Sequence, residues 1–388
     1  MNIGIITTWF DRGAAFVSRA YMESLEKENH NVFIYARGGE KMDFKNNYWN
    51  LPNVYWGDKS IDTHINKRRF FRWVKQNHLD ALFFNEQRDY LIVAQIKKYL
   101  PKVKVGAYID YYREDTLKYF NLFDFVICNT KRHVEALSFH KQCYYIPWGT
   151  DVDLFKPICK NKNSTDNMLS FFHSVGMSNR KGTDILLKCF IKNRIYELAK
   201  LIIHTQIPIE KVCDYSKKEL EDYNISVIEE TIAPPGLYYL GDIYVYPTKL
   251  DGLGLTLYEA LASGLPVITT NYPPMNEIIN ENIGKLVDVE RNYCRYDAYY
   301  WPMSICNEKS LYDAIMYYVL HPDVVALQKK NARIEAVQKY NWMAKSGDVS
   351  FAFTNSKLSF DSELVNDVLK NNSLIVKLKK KIKLIINK

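Results

Sequence analysis

Two carboxylates, Asp251 and Glu259, stand eight positions apart in the run DGLGLTLYEALASGLP, bracketing a glycine-bearing loop and the start of a helix. Gly252 and Gly254 let the backbone approach a ligand closely and take conformations closed to other residues. The helix that follows presents unsatisfied N–H groups to any anion in front of it. Paired acids beside such a helix end suit a sugar attached to a diphosphate, the acids taking hydroxyls and the amides taking phosphate. The same run also reads as an ordinary loop and a buried helix, ended by Gly264 and followed by a strand after Pro266.

A second stretch, FHSVGMSNRKGTDILLKCF from Phe172, reads as a strand, Gly176, a polar loop with Arg180 and Lys181, then Gly182 and a helix. Cations at the carboxyl edge of a strand can grip a diphosphate, arginine bidentately and lysine as a point charge. Positive charge placed there can do the work of a metal ion on a departing diphosphate. A solvated basic loop would use the same residues.

These loops need strands to carry them. IYVYPTKLDG before Asp251 contains a short apolar strand, and PVITT after it another, so the loop lies at the carboxyl end of a strand in an open α/β sheet, where such folds bind ligands. From the start of the chain NIGIITT, a helix over about residues 16–27, NVFIYA, ALFFN, KVGAYI, FDFVICN and CYYIP alternate with helical or polar segments. That rhythm predicts a mainly parallel sheet covered on both faces. IPWGTDVDLFKP, Ile146 to Pro157, breaks it, and KNKNSTDN after it has no period. Beyond this point MLSFFHSV, a helix over about residues 184–193, AKLIIHT, a helix before Tyr223, ISVIEE, DIYVY and PVITT renew the alternation. SLYDAIMYYVLHP and VVALQKKNARIEAVQKYNW are helical. The expected division is a first domain over 1–157, a second over 158–345, and a return segment with a basic amphipathic tail over 346–388. DVERNYCRYDAYYWPMSIC, 288–306, fits no period and reads as an insertion whose aromatic residues can equally line a sugar pocket or pack on a core.

DGLGLTLYEALASGLPVI resembles the hallmark of the retaining family-4 glycosyltransferases (glycosyl transferases group 1) of the GT-B fold, an acid, seven residues and a second acid, with Asp251 where the family has glutamate. Lys181-Gly182 is similar to the family's phosphate loop, although Met177 stands where an arginine is expected and Arg180 takes its place. IPWGTDVDLFKP resembles the segment joining the family's two domains, an argument against reading Asp151 and Asp153 as an Asp-x-Asp metal site. The resemblance implies an α/β GT-B protein, two Rossmann-like parallel-sheet domains facing a central cleft. It implies transfer of a sugar from a UDP- or GDP-linked donor to a glycan or lipid-linked acceptor, with retention of configuration, in the synthesis of cell-surface polysaccharide or glycoconjugate. In that scheme Glu259 holds the ribose, Asp251 the donor sugar, and Arg180 and Lys181 the diphosphate. Gly13, Gly176, Gly252, Leu253, Gly254, Leu255 and Thr256 line the donor. Glu86, Asp110, Tyr111 and Arg113, at other strand ends of the first domain, are the acceptor-side candidates. Relatives often place a histidine after the strand equivalent to KVGAYI, where this chain has Asp110. No metal and no cofactor are implied, the leaving phosphate itself helping to deprotonate the acceptor. Rival readings are a GT-B epimerase or phosphorylase and a non-catalytic nucleotide-sugar binder.

Composition sets the remaining bounds. A chain of 388 residues with 47% hydrophobic residues suits two α/β domains. No apolar run is long enough for a membrane span, and MNIGIITTWF lacks the features of a signal peptide, so a cytoplasmic protein is expected. The seven cysteines are scattered and read as reduced thiols. Much of the net charge of +8 lies in KRRFFRW, from Lys67, and in LIVKLKKKIKLIINK, from Leu374. The latter is amphipathic and suits an anionic membrane surface. No module for nucleic acid accompanies either run.

Overall fold

A computed structural model describes residues 1–39, 41–158 and 168–371. The basic segment from Leu374 and Cys159 lie outside the described residues. The chain forms two units, Met1–Ile146 with the chain from Ala344 onward, and Pro147–Met343.

The first unit is built on β1 (Asn2–Thr7), α1 (Gly13–Lys27), β2 (Asn31–Gly38), β3 (Val54–Lys59), α2 (Lys67–Gln76), β4 (Ala81–Asn85), α3 (Tyr90–Tyr99), β5 (Lys104–Tyr108), β6 (Phe125–Cys128), α4 (Lys131–Ala136) and β7 (Cys143–Tyr145). The order β3-β2-β1-β4-β5-β6-β7 is parallel throughout. β4 and β6 are buried along their whole length, as unbroken apolar runs require when helices cover both faces. β3, VYWGDK, shows no apolar period and was not expected from the sequence. On α2, Phe70, Trp73 and Val74 are buried, while Arg68, Arg69, Arg72 and Lys75 are exposed.

The second unit contains β8 (Leu169–Gly176), α5 (Thr183–Lys192), β9 (Ala199–Thr205), α6 (Lys217–Glu221), β10 (Ile225–Glu229), β11 (Ile243–Tyr246), α7 (Leu255–Ala262), β12 (Val267–Thr270), α8 (Met275–Ile278) and β13 (Gly284–Val287). An antiparallel ribbon follows, β14 (Val289–Tyr293) with β15 (Met303–Cys306), then α9 (Glu308–Leu320) and α10 (Pro322–Lys339). Its six-stranded sheet, β10-β9-β8-β11-β12-β13, is also parallel. The ribbon occupies the stretch that fits no period in the sequence.

The division differs from the expected one. Segment 147–157 belongs to the second unit: Thr150 N donates to the Tyr340 carbonyl at 2.7 Å, and Arg333 Nη1 donates to the carbonyls of Val152 and Phe155 at 2.9 Å each. The chain then returns to the first unit through α11 (Ser346–Asn355) and α12 (Ser362–Asn371). Phe353 of α11 packs between Phe83 of β4 and Phe125 of β6, at ring separations of 5.2 and 5.0 Å. Among the described residues no helix is long and apolar enough to cross a membrane.

Candidate active site

In the second unit the strand order reverses between β8 and β11, which are neighbours in the sheet but far apart in sequence. Loops leaving their carboxyl ends diverge there and open a crevice. The loop after β8 carries Arg180 and Lys181; the loop after β11 carries Asp251. Gly182 fixes their approach: its φ is +77°, and a Cβ there would meet the Pro247 carbonyl oxygen at 1.9 Å. Only glycine permits that contact. Lys249 N then donates to the Arg180 carbonyl at 2.8 Å, lacing the two loops.

The result is an ion pair of Lys181 Nζ with Asp251 Oδ2 at 2.7 Å. Tyr246 OH donates to the same Oδ2, and Gly252 N donates to Oδ1 at 2.9 Å. Burial alone would raise the Asp251 pKa, but the charge and hydrogen bond of Lys181, the Tyr246 hydroxyl and the Arg180 charge outweigh it and hold the carboxyl at about 2. Asp251 is therefore an anion at any physiological pH. Lys181 has three donors, so it can keep the aspartate and still reach phosphate oxygens. Arg180, half-buried, donates Nε–H to Ser178 Oγ at 3.2 Å. Met177 is 56% exposed, so no cation occupies the position after Gly176.

α7 starts at Gly254, whose φ is +73°. Along the stretch expected to face a ligand, the Gly252 amide donates to Asp251, Leu255 and Thr256 stand in the first turn of α7, and the Leu253 side chain is buried. Glu259, one turn on, accepts from Tyr238 OH at 2.6 Å. Burial, then the charge of Asp251, raises its pKa against the pull of Tyr238 and Lys181. Tyr244 and Tyr246 stack at 5.5 Å, with their hydroxyls beside Thr256, so tyrosines run under α7 from one acid to the other. Beneath them His173 donates Nδ1–H to the Val245 carbonyl and accepts from Thr183 Oγ1, both at 2.8 Å, tying β8, β11 and α5 together. Burial, with help from Lys181, pushes its pKa down to about 4, so it is neutral.

The first unit has its own switch point, between β1 and β4. Gly13 opens α1 there as the first residue of the helix. Glu86, held at φ +54°, accepts from the backbone N–H of Asp110 at 2.7 Å and of Tyr111 at 3.2 Å. Burial and the Asp110 charge push its pKa up to about 7, against those two bonds and Arg37. Asp110 Oδ1 also meets His133 Nε2 at 2.8 Å. Glu86, Asp110 and Tyr111 thus converge. Arg113 does not join them; it pairs with Asp115 at 2.9 Å on the surface. Sequence reasoning missed His133, Tyr238 and Tyr246. The signal for His133 was available, since TKRHVEAL opens a helix at the same sheet edge as Asp110. Asp151 Oδ1 accepts from the amides of Asp153 and Leu154 at 2.9 Å each, a local turn.

With this geometry in hand, likeness to known proteins is informative. Residues 167–293 match the family described as glycosyl transferases group 1. The match covers about a third of the chain and includes Arg180, Lys181, Asp251 and Glu259. An O-antigen biosynthesis glycosyltransferase, WclY of Escherichia coli, is 26% identical over 126 residues, 31% of this chain and 34% of that protein, so the similarity spans about a third of the relative's length. Two solved structures share the fold over 92% of this chain: a glycosyltransferase from Rickettsia africae ESF-5 (TM-score 0.70, 16% identity, 99% of that chain) and Anabaena Alr3699/HepE in complex with UDP-glucose (TM-score 0.66, 14% identity, 100% of that chain). The fold is GT-B.

Proposed function

We propose that this protein transfers a sugar from a nucleotide diphosphate donor, UDP- or GDP-linked, to a glycan or lipid-linked acceptor, with retention and without a metal ion. The observation that carries the reading is the 2.7 Å pair of Lys181 and Asp251 at the switch point, with Glu259 on the adjoining helix. A cation and an anion side by side match the two ends of a sugar diphosphate.

Lys181 holds the diphosphate, aided by Arg180 and by the amino end of α7, and neutralises charge as the bond from the sugar carbon to phosphate oxygen breaks. Asp251 accepts from hydroxyls of the donor sugar and favours the positive charge that develops on its ring. Glu259 accepts from the ribose hydroxyls. The new bond forms from the acceptor oxygen to the same sugar carbon, and the acceptor proton goes to the departing phosphate. Of the first unit's residues, Glu86, Asp110 and Tyr111 receive the acceptor. The exposed cations of α2 support work in the cytoplasm against an anionic membrane face, where lipid-linked acceptors lie.

Product analysis with a panel of nucleotide sugars tests this reading. Lys181→Ala is expected to lower kcat/KM by about 100-fold or more, in the range of losing a charged contact to the transition state. Transfer undiminished in both Lys181→Ala and Glu259→Ala would sink the assignment.

A further inference from the structure

The ribbon of β14 and β15 is fastened to the loop that carries Asp251. Ser304 N of β15 donates to the Lys249 carbonyl at 2.7 Å, and Lys249 N donates to the Arg180 carbonyl at 2.8 Å. A continuous line of backbone contacts therefore runs from the ribbon to the phosphate loop, two residues from Asp251. β15 is the inner strand, with Met303, Ser304 and Cys306 buried, and Ser304 Oγ donates to Asn292 Oδ1 of β14 at 2.8 Å. β14 is the outer strand, exposed from Glu290 to Tyr293.

Large aromatic rings stand in solvent along this edge. Tyr296 is 100% exposed, Tyr293 43% and Tyr300 38%, and Tyr300 meets Trp301 at a ring separation of 5.1 Å. Three exposed rings on one strand end and the connection that follows it are the feature of an interaction surface. Its charges balance locally: Arg295 is bound bidentately by Asp297 at 2.7 and 3.0 Å, and Arg291 follows Glu290. Such a surface has no net pull on an anionic lipid or a nucleic acid. Tyrosines instead present a flat apolar face with a polar tip at small entropic cost, which suits the C–H faces and hydroxyl rims of sugar rings.

We propose that Tyr293, Tyr296 and Tyr300 form a stacking platform for the saccharide part of the acceptor, beside the donor loop. The proposal rests on the glycosyl-transfer reading and deepens it: the acceptor carries a saccharide that the rings of the second unit can stack on.

The test uses the full chain on an array of immobilised bacterial oligosaccharides, with nucleotide-induced thermal shifts measured in parallel. Wild type is expected to retain a subset of the glycans, and Tyr293→Ala/Tyr296→Ala to lose about tenfold or more in affinity, the effect of removing stacked rings. Phenylalanine at both positions keeps the rings and should stay within about threefold of wild type. A wild type that retains no glycan, a double alanine variant that retains glycans like wild type, or a phenylalanine pair as weak as the alanine pair would overturn the proposal. So would vesicles of three parts phosphatidylcholine to one part phosphatidylglycerol that bind wild type and release the alanine variant, since the rings would then serve a membrane. Failure of the donor reading looks different: no nucleotide diphosphate then shifts the wild-type melting temperature.

Discussion

Asp251 is one methylene shorter than the glutamate of the resembling pattern, and Tyr246 and Lys181 fix where that shorter acid points. Tyr246→Phe removes one hydrogen bond to this acid while preserving the ring stack on Tyr244. A hydrogen bond to a charged group contributes about 1.5–3 kcal/mol, so kcat/KM for the sugar donor should fall about 10- to 100-fold while the affinity for the bare nucleotide diphosphate holds. An equal loss for nucleotide and sugar donor would show that Tyr246 only braces the loop. Glu86 offers a second residue-scale expectation. Its folded pKa of about 7 exceeds the ordinary 4.5, so folding must ionise a buried carboxyl as pH rises through that window. Its stabilising contribution is complete below pH 4.5 and lost by pH 7, a swing on the order of 3 kcal/mol. Urea unfolding of wild type against Glu86→Gln at pH 5 and 8 reads it: wild type should lose more stability between the two pH values. The placement of Asp251 and Lys181 on facing loops and of Glu259 on the adjoining helix was legible in the sequence because loop and helix spacing is local. Tyr246, Tyr238 and His133 were not, because a residue's partner across the sheet depends on strand order, which apolar runs leave unspecified.

At the scale of elements, the phosphate loop depends on a close approach that one residue allows. Gly182→Ala places a Cβ on the Pro247 carbonyl and asks alanine to hold φ +77°. The loops must part, and a cost of about 2 kcal/mol or more, a drop of roughly 4–8 °C for a unit of this size, is expected together with loss of nucleotide binding. Differential scanning calorimetry with and without nucleotide diphosphate measures both. The buried parallel strands and the long helices were readable from apolar runs and helical periodicity, because covered strands must be apolar throughout. β3 and the β14–β15 ribbon were not. VYWGDK sits at a sheet edge and is partly exposed, and β14 is exposed nearly throughout, so neither had a hydrophobic pattern to betray it.

Over the whole molecule, the chain leaves its first unit at Ile146 and returns to it at Ala344. Phe353 completes the first unit's core from the far end of the sequence, between rings on β4 and β6. Phe353→Ala should destabilise that unit by about 3–5 kcal/mol, seen as an earlier first transition in urea with the nucleotide-stabilised transition unmoved. The two-domain α/β organisation followed from the order of elements, and the return of the C-terminal segment from the family resemblance. The point of departure did not, since 147–157 is irregular and its allegiance is decided by hydrogen bonds to Tyr340 and Arg333, near the other end of the second unit.

Lys181, Asp251 and Glu259 together form the proposed nucleotide-sugar site. Titration calorimetry of the full chain with UDP- and GDP-sugars, wild type against Lys181→Ala, tests it most directly. One donor should bind the wild type, and the variant should bind it at least about tenfold more weakly. Binding of equal strength in the variant, or of no donor in the wild type, would contradict the account.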